Sequence, residues 1–283
     1  GVVVVEVLPV NPLRMFFVRF DLRDHRKIAV IDRRIAYTGS MNIADPLYFK
    51  KDAGVGQWVD AMVRIEGPAA WVLEAVSLSL TSLQTGAHFA PQPMPQLPLA
   101  GSGQVQVFPS GPESAKVPID AVLLAAIYAA RREIVLTTPY FVPSPALLTA
   151  MRSAALRGVR VVLIVPERGD SRLVRYASEA FNEDLLSVGV TILHFQSGLL
   201  HTKSMVVDEE FTIFGTVNLD LRSFELNFEV SIMAFDREFS LATRALQRSY
   251  ENRSRCLSLD EWRTRPRARR LLENAVQTMS PLL

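Results

Sequence analysis

The chain has 283 residues, which is enough to bury one large or two medium-sized cores without disulfides or structural metals. A net charge of +2 is too small to indicate a nucleic-acid partner by itself. The single cysteine, Cys256, excludes an intrachain disulfide and a cysteine zinc cluster, and burial is the expectation for a free thiol. The longest apolar run, residues 121–130, falls short of the roughly 20 residues that a membrane-spanning helix needs.

The predicted elements form two groups. Residues 1–7, GVVVVEV, are apolar and β-branched, which predicts a buried strand. Residues 89–103 are rich in proline and glycine and indicate a linker, so that residues 1–88 form a first lobe and residues 104–283 a second. In the second lobe, apolar strands alternate with helices, which is typical of an α/β fold. These strands are expected at residues 134–138, 161–165 and 190–193.

Two helices of the second lobe have clear boundary signals. Ser144 is a suitable N-cap, Pro145 suits the first helical position, and Gly158 ends the helix. A second helix is expected from about residue 171 to residue 187, ending before Gly189.

An internal repeat is the most informative feature of the sequence. Two segments, HRKIAVID and HTKSMVVD, are followed at identical spacing by glycine, serine or threonine, and asparagine. The repeated residues are His25, Lys27, Asp32, Gly39, Ser40 and Asn42 in the first copy, and His201, Lys203, Asp208, Gly215, Thr216 and Asn218 in the second. The first copy lacks a counterpart of residues 104–188, so we expect the parent protein to carry more chain before Gly1, completing the first lobe.

The repeated residue types suit chemistry on a phosphate diester. Two imidazoles suit a double displacement in which one attacks and the other moves the proton of the alcohol. Two ammonium groups offset the charge that develops on the phosphate oxygens, so neither a metal nor another cofactor is required. The hydroxyls of Ser40 and Thr216 and the amides of Asn42 and Asn218 are expected to donate to the same oxygens, with Gly39 and Gly215 allowing close backbone approach.

A second alignment adds two carboxylates to the predicted site. NFEVSIMAF, beginning at Asn227, aligns with WVDAMVRIE, beginning at Trp58, and places Glu229 opposite Asp60. We expect each carboxylate to orient the histidine of its own copy. Asp32 and Asp208 are included because the motif contains them, although their expected role is to hold the loop before the glycine.

Two H-x-K-x4-D motifs, each followed by G-[ST]-x-N, resemble those of the phospholipase D superfamily. TGSMNIADP, TTPYFVPSPALLTAMRSAALRGVRV, GTVNLDLRSFELNFE and the terminal SPLL narrow the resemblance to bacterial cardiolipin synthases over nearly the whole chain. The chain departs from the family at Val59, where W-R-D is usual and this sequence has W-V-D. The resemblance implies two lobes, each a mixed sheet flanked by helices, packed about a pseudo-twofold axis with the motifs at their interface.

The resemblance also implies an activity. Two phosphatidylglycerol molecules would be joined into cardiolipin with release of glycerol through a phosphatidyl-histidine, at the bacterial cytoplasmic membrane, to which the protein is anchored by other segments or bound peripherally. His25 would be the nucleophile, and His201, protonated at rest, the acid and base. The alternatives are a phospholipase D or nuclease that uses water, and an inactive lipid-binding fragment; no nucleic acid is expected as partner of the synthase.

Several other residues have less specific interpretations. His88 and His194 lack the motif context and are expected to be surface or packing residues. Tyr140 and Phe141 follow a predicted strand, where they either line an entrance for lipid or alcohol or pack in the core. The five arginines of residues 263–270 form either a solvated surface or a contact with anionic lipid.

Overall fold

The computed structural model describes residues 1–2, 4–8, 22–48, 51–86, 99, 101–112 and 118–278. Most of the predicted linker, His88 and the terminal SPLL lie outside these ranges, so the lobe boundary stays a prediction. Residues 1–2 and 4–8 form no strand, and Val2 and Val4 are exposed by 89% and 85%. The expectation of a buried strand there is wrong because this apolar run pairs with no strand in the described part of the chain.

The first lobe is a small antiparallel sheet backed by one long helix. A hairpin and a third strand form the sheet in the order β2-β3-β5. The helix starts at Pro68, a residue suited to the first turn, and stops before Gly86, whose φ is 65°. The elements are β1 (Arg23–Asp24), β2 (Ile28–Ile31), β3 (Ile35–Gly39), β4 (Trp58–Val59), β5 (Met62–Glu66) and α1 (Pro68–Thr85), with a 3₁₀ turn at Lys51–Ala53.

The strands of the second lobe, in chain order after β5, are β6 (Gln104–Ser110), β7 (Glu133–Thr137), β8 (Phe141–Val142), β9 (Arg160–Pro166), β10 (Thr191–Phe195), β11 (Leu199–Leu200), β12 (Ser204–Val207), β13 (Phe211–Gly215), β14 (Leu219–Asp220), β15 (Asn227–Phe235) and β16 (Ser254–Cys256). They contribute most strands of a nine-stranded mixed sheet with the order β1-β15-β13-β12-β7-β9-β10-β16, in which β6 also pairs with β15.

Helices cover both faces of this sheet, which explains the continuous apolar runs of its central strands. In β9, Val161 and Leu163 face the larger core, whereas Val162 and Ile164 face a second core that contains Tyr250. The helices of this lobe are α2 (Ile119–Ala129), α3 (Pro145–Leu156), α4 (Arg172–Glu179), α5 (Asn182–Ser187), α6 (Leu221–Glu225), α7 (Arg237–Glu251), α8 (Leu259–Arg263) and α9 (Arg267–Thr278).

The three predicted strands are confirmed to within two residues as β7, β9 and β10, and α3 has the predicted boundaries. Ser144 accepts a hydrogen bond from the Leu147 amide at 3.2 Å, and Gly158 has a φ of 87°. The prediction of a single second helix is wrong, because the structure has two helices there, α4 and α5. Phe181 lies at the break between them and packs edge-on against Phe141. Cys256 is exposed rather than buried, because it lies on β16 at the end of the large sheet.

The two lobes repeat one arrangement, as the fold prediction requires. The hairpin, third strand and helix β2, β3, β5 and α1 correspond to β12, β13, β15 and α7. In the second lobe β12 also pairs with β7 and is buried throughout. Its counterpart β2 pairs only with β3 among the described strands, and Ile31 is 50% exposed. Within the described residues, the first lobe therefore contains only the part of the sheet that carries its motif.

Candidate active site

Two short parallel strand pairs bring the repeated motifs together. The residues before His25, in β1, pair with the start of β15, and those before His201, in β11, pair with β4. The His25 amide donates to the Phe228 carbonyl at 2.9 Å, and the His201 amide donates to the Val59 carbonyl at 2.9 Å. Each histidine is therefore attached to the chain segment that leads into the carboxylate of the other copy.

The histidine and carboxylate pairs cross between the copies. His25 Nδ1 lies 2.9 Å from both carboxylate oxygens of Glu229, and His201 Nδ1 lies 2.6 Å from Asp60 Oδ1. The alignment of Glu229 with Asp60 was right, but the expectation that each orients its own histidine is wrong. The reason is that β1 and β11 pair across the lobes. Because an ionised carboxylate only accepts, each Nδ1 carries the proton of this contact, which leaves Nε2 as the nitrogen available for chemistry.

The motif hydroxyls hold these carboxylates in place. Ser40 Oγ accepts from the Ala61 amide at 3.0 Å and donates to the Ala61 carbonyl at 3.3 Å, directly after Asp60. Thr216 makes the same two contacts to Val230, directly after Glu229. The expected role as phosphate donors is therefore not the role that the structure gives these hydroxyls. Each fixes the strand that presents its own copy's carboxylate to the other copy's histidine.

The two motif glycines permit the close approach of the same strands. A Cβ on Gly39 would lie 2.3 Å from the Ala61 carbonyl oxygen, and a Cβ on Gly215 would lie 2.2 Å from the Val230 carbonyl oxygen. The predicted close backbone approach is present, but it is toward the neighbouring strand.

The two lysines add cationic groups to the same cluster. Lys27 Nζ donates to the His25 carbonyl at 2.8 Å, and Lys203 Nζ donates to the His201 carbonyl at 2.7 Å. Burial lowers the pKa of Lys27 to about 8, although Glu229 and Asp60 oppose the shift. Burial and the neighbouring charge of Lys27 lower the pKa of Lys203 well below its ordinary value. The pair forms a site in which a bound phosphate anion would stabilise both ammonium groups.

His201 is held as a neutral imidazole. Its side chain is 3% exposed, and burial together with the charge of Lys203 lowers its pKa to about 4. Burial opposes ionisation of Asp60, but the hydrogen bonds of His201 and of the Ser40 hydroxyl outweigh it and lower the pKa of Asp60. The His201 ring packs against Trp58 with ring centroids 4.6 Å apart. A neutral resting His201 contradicts the expectation that this histidine rests protonated.

The motif aspartates lie away from this cluster, at the turns of the two hairpins. Asp32 and Asp208 both have positive φ, 51° and 54°, as two-residue hairpin turns of this kind require. Asp208 accepts hydrogen bonds from three successive backbone amides, those of Arg131, Arg132 and Glu133. Burial would raise the pKa of Asp208, but these three bonds outweigh it and lower the pKa. The structure therefore gives Asp208 a structural role, and Asp32 is exposed at the corresponding turn.

Comparison with known proteins finds similar sequences over the whole chain. The chain is 48% identical over its whole length to a cardiolipin synthase A of Pectobacterium carotovorum subsp. carotovorum (strain PC1) and to one of Serratia proteamaculans (strain 568). It spans 59% of the length of each of these relatives. The family described as "Cardiolipin synthase, PLD-like domain" matches residues 123–250. Residues 123–250 thus carry a phospholipase D-like domain of the cardiolipin synthase type.

The fold of the chain is also similar to a solved structure. A phosphatidylserine synthase from Haemophilus influenzae Rd KW20 superposes with a TM-score of 0.68 over 92% of this chain and 71% of the other. The two are 14% identical, so the similarity concerns the fold. It supports the two-lobed α/β architecture.

The two motif asparagines have different surroundings in this synthase-like site. Asn218 is 5% exposed and lines a cavity of about 310 Å³ together with His25. Asn42 is half-buried at the start of an exposed loop, where its carbonyl accepts from the Ala44 amide at 2.8 Å. The structure thus places Asn218 beside His25, whereas the predicted role of Asn42 stays a prediction.

Sequence reasoning missed polar residues that line the same cavity. Asp220 and Asn227 lie there, as does Asp170, which accepts a hydrogen bond from the Tyr140 hydroxyl at 2.8 Å. Burial raises the pKa of Asp220 to about 6, and the charge of Glu229 adds to the shift. Tyr140 lines the cavity, and its role at an entrance stays a prediction, while Phe141 is a core residue with 1% exposure.

Two further groups lie outside the cluster. His194 is buried within β10, and burial lowers its pKa, in agreement with a packing role. Among the arginines of residues 263–270, Arg263 and Arg267 are exposed, whereas Arg265 and Arg269 are held in ion pairs. Arg265 and Arg269 both pair with the fully buried Glu273, and Arg269 also pairs with Glu179 on α4. These pairs hold α9 against the rest of the lobe.

Proposed function

We propose that this chain carries the catalytic site of a phosphatidyltransferase that forms cardiolipin from two phosphatidylglycerol molecules and releases glycerol. The observation that carries the proposal is the pair of crossed contacts, His25 with Glu229 and His201 with Asp60, beside Lys27 and Lys203. Two oriented imidazoles and two ammonium groups provide a nucleophile, a proton carrier and charge compensation for one phosphate diester. The likeness to cardiolipin synthases over the whole chain supports the choice of substrate.

The reaction proceeds in two displacements at phosphorus. Nε2 of one histidine attacks the donor phosphate, forming a P–N bond, and the P–O bond to glycerol breaks as the other histidine gives its proton to the glycerol oxygen. The second phosphatidylglycerol then transfers a hydroxyl proton to that other histidine, and its oxygen attacks phosphorus. The P–N bond breaks, and the free imidazole is restored. The lysines stabilise the charge on the oxygens of both five-coordinate states.

We further propose that the site faces a membrane surface, in a bacterium the cytoplasmic membrane. Residues 41–48, which we call the apolar loop, follow directly after Ser40 of the first motif. Four large apolar side chains in this loop are exposed, namely Met41 by 53%, Ile43 by 109%, Leu47 by 60% and Tyr48 by 68%. Clustered exposed apolar side chains mark contact surfaces, and these follow directly after the first motif in the chain. Among the described residues, no helix has the length and apolarity to cross a bilayer.

The test is product analysis with the protein in its full natural length. Phosphatidylglycerol vesicles should yield cardiolipin and glycerol in equal amounts. A His201→Ala variant should fold, as judged by an unchanged thermal unfolding transition, and should form no cardiolipin. Formation of phosphatidic acid without cardiolipin would instead show a hydrolase, and cleavage of single-stranded DNA alone would show a nuclease. Unchanged turnover in His201→Ala would refute the proposed site, and lipid binding without any turnover would indicate an inactive lipid-binding protein.

A further inference from the structure

The cavity beside His25 is larger than the space needed for the phosphate. It measures about 310 Å³, which is within the range of small-molecule sites, roughly 300–1,000 Å³. Its polar lining includes His25, Tyr140, Asp170, Asn218, Asp220 and Asn227. Only His25 and Asn218 belong to the repeated motif, so the remaining four residues are not explained by the phosphate chemistry.

Two buried side chains in this lining have unused hydrogen-bond acceptors. Asn218 and Asn227 are 5% and 6% exposed, and the Oδ1 atom of each is buried without a hydrogen-bond partner in the described part of the chain. The Asn227 amide nitrogen donates to Glu229 at 3.2 Å, which leaves its oxygen directed away from that carboxylate. Buried acceptors are costly when unpaired, so these oxygens suit a ligand that donates hydrogen bonds.

The carboxylates of the cavity also suit a ligand that donates hydrogen bonds. Asp170 accepts from the Tyr140 hydroxyl, and burial together with the charge of Asp170 raises the pKa of Tyr140, so the phenol keeps its proton. Asp220 accepts from the Ser223 amide at 2.7 Å through one oxygen. Carboxylates and amide oxygens bind hydroxyl groups, whereas a phosphate requires donors. The lining therefore matches a polyol.

Two arginines add a place for an anion at the same cavity. Arg23 and Arg222 line it together with the acceptor groups. Arginine recognises phosphate oxygens with several donors at once. A group that combines adjacent hydroxyls with a phosphate fits both parts of the lining.

We propose that this cavity binds the glycerol headgroup of the alcohol substrate, with Arg23 and Arg222 beside the acceptor's own phosphate. The inference rests on the proposed function and deepens it. The alcohol oxygen then lies on the His25 side of the phosphorus, and the attacking nitrogen lies on the opposite side. His25 accordingly moves the alcohol proton, and the neutral His201 attacks, which reverses the order that the family resemblance implies.

Competition between two acceptor alcohols tests whether the cavity binds the acceptor during turnover. When the full-length protein acts on phosphatidylglycerol vesicles in the presence of ethanol, cardiolipin and phosphatidylethanol arise from one phosphatidyl-enzyme. Their ratio reports acceptor choice independently of the first step.

Asp170→Asn should lower the ratio of cardiolipin to phosphatidylethanol by about tenfold, the loss expected when one hydroxyl contact of roughly 1.4 kcal/mol disappears. The exposed Asp184 on α5 offers a matched control, and Asp184→Asn should leave the ratio unchanged. An unchanged ratio in Asp170→Asn overturns the assignment, even if the total rate falls.

A binding measurement separates this inference from the proposed function. Glycerol 3-phosphate, titrated calorimetrically, should bind the wild-type protein and bind Asp170→Asn about tenfold more weakly. Tyr140→Phe removes one hydroxyl, keeps the packing, and should weaken binding in the same direction. No binding by the wild type, or equal binding by all three proteins, overturns the cavity. Normal binding of the probe with no phosphatidyl transfer to any alcohol supports the cavity and rejects the transferase.

Discussion

Glu229 and His25 lie 204 positions apart in the chain, yet both oxygens of the buried carboxylate lie 2.9 Å from the imidazole Nδ1. The pair of His201 and Asp60 repeats the contact in the opposite direction. Each lobe therefore supplies a histidine to one pair and a carboxylate to the other. Neither lobe alone contains an oriented histidine, so both proton positions depend on the packing of the two lobes.

The first prediction concerns this crossed arrangement. Glu229→Gln should lower kcat by about 100-fold or more, because an amide no longer fixes the His25 tautomer as a carboxylate does. The imidazole ¹⁵N resonances should change for His25 and stay as they are for His201. Asp60→Asn should produce the reverse pattern. If Glu229→Gln altered the His201 resonances and left those of His25 unchanged, the crossed contacts would be wrong.

The sequence predicted the components of the site more completely than their pairing. Identical spacing in two motifs identified the histidines and lysines, and the second alignment identified Asp60 and Glu229. The pairing depends on two-residue strands, β1 and β11, whose partners lie far away in the chain. Local sequence patterns carry no information about such distant partners. The expectation that each carboxylate contacts the histidine of its own copy was simpler, and it was wrong.

The strands were predictable where a continuous apolar pattern determines them. The errors occur where contacts between distant residues determine the local structure. The parallel strands β7, β9 and β10 are continuous apolar runs and were predicted within two residues. The interruption between α4 and α5 lies where Phe181 packs against Phe141, a tertiary contact that a local helix signal does not contain. The acceptor residues of the cavity, such as Asn227 and Asp170, have no counterpart in the repeat and gave no signal.

The second prediction separates the roles of the two histidines. A phosphatidyl donor with p-nitrophenol as leaving group needs no proton for departure. His25→Ala should therefore still release a burst of p-nitrophenol and accumulate a phosphatidyl group on His201, detectable by mass spectrometry. His201→Ala should release none. A burst in His201→Ala, and none in His25→Ala, would assign the attack to His25 as the family resemblance implies.

The third prediction concerns pH. Lys27 has a pKa of about 8 in the folded protein, so its ammonium form is lost as the pH rises through that value. If the charged form binds the donor phosphate, kcat/KM should fall by about tenfold per pH unit above pH 8. Lys27→Arg should move this fall to higher pH, because arginine stays charged. An identical alkaline limb in Lys27→Arg would show that another group titrates.

The fourth prediction concerns the strand contacts beneath the carboxylates. Gly39→Ala places a Cβ 2.3 Å from the Ala61 carbonyl oxygen, at a residue whose φ of 153° already disfavours side chains. We expect the free energy of unfolding, measured in urea, to fall by about 1–3 kcal/mol. Gly101→Ala is the matched control, since its Cβ would meet no atom within 4 Å, and it should change stability by under about 0.5 kcal/mol. Equal effects of the two substitutions would contradict the tight contact.

The last prediction concerns the apolar loop. Combined Ile43→Ser and Leu47→Ser substitutions should weaken binding to phosphatidylglycerol vesicles by at least about tenfold, because burying one side chain of this size is worth about 1.5–3 kcal/mol. Leu156→Ser with Leu271→Ser removes two comparably exposed leucines, 71% and 70%, from α3 and α9. This control should bind vesicles normally, as measured by co-sedimentation. Equal loss in both double variants would indicate general surface hydrophobicity rather than a specific loop. Normal binding by the loop variant would place the lipid contact elsewhere on the protein.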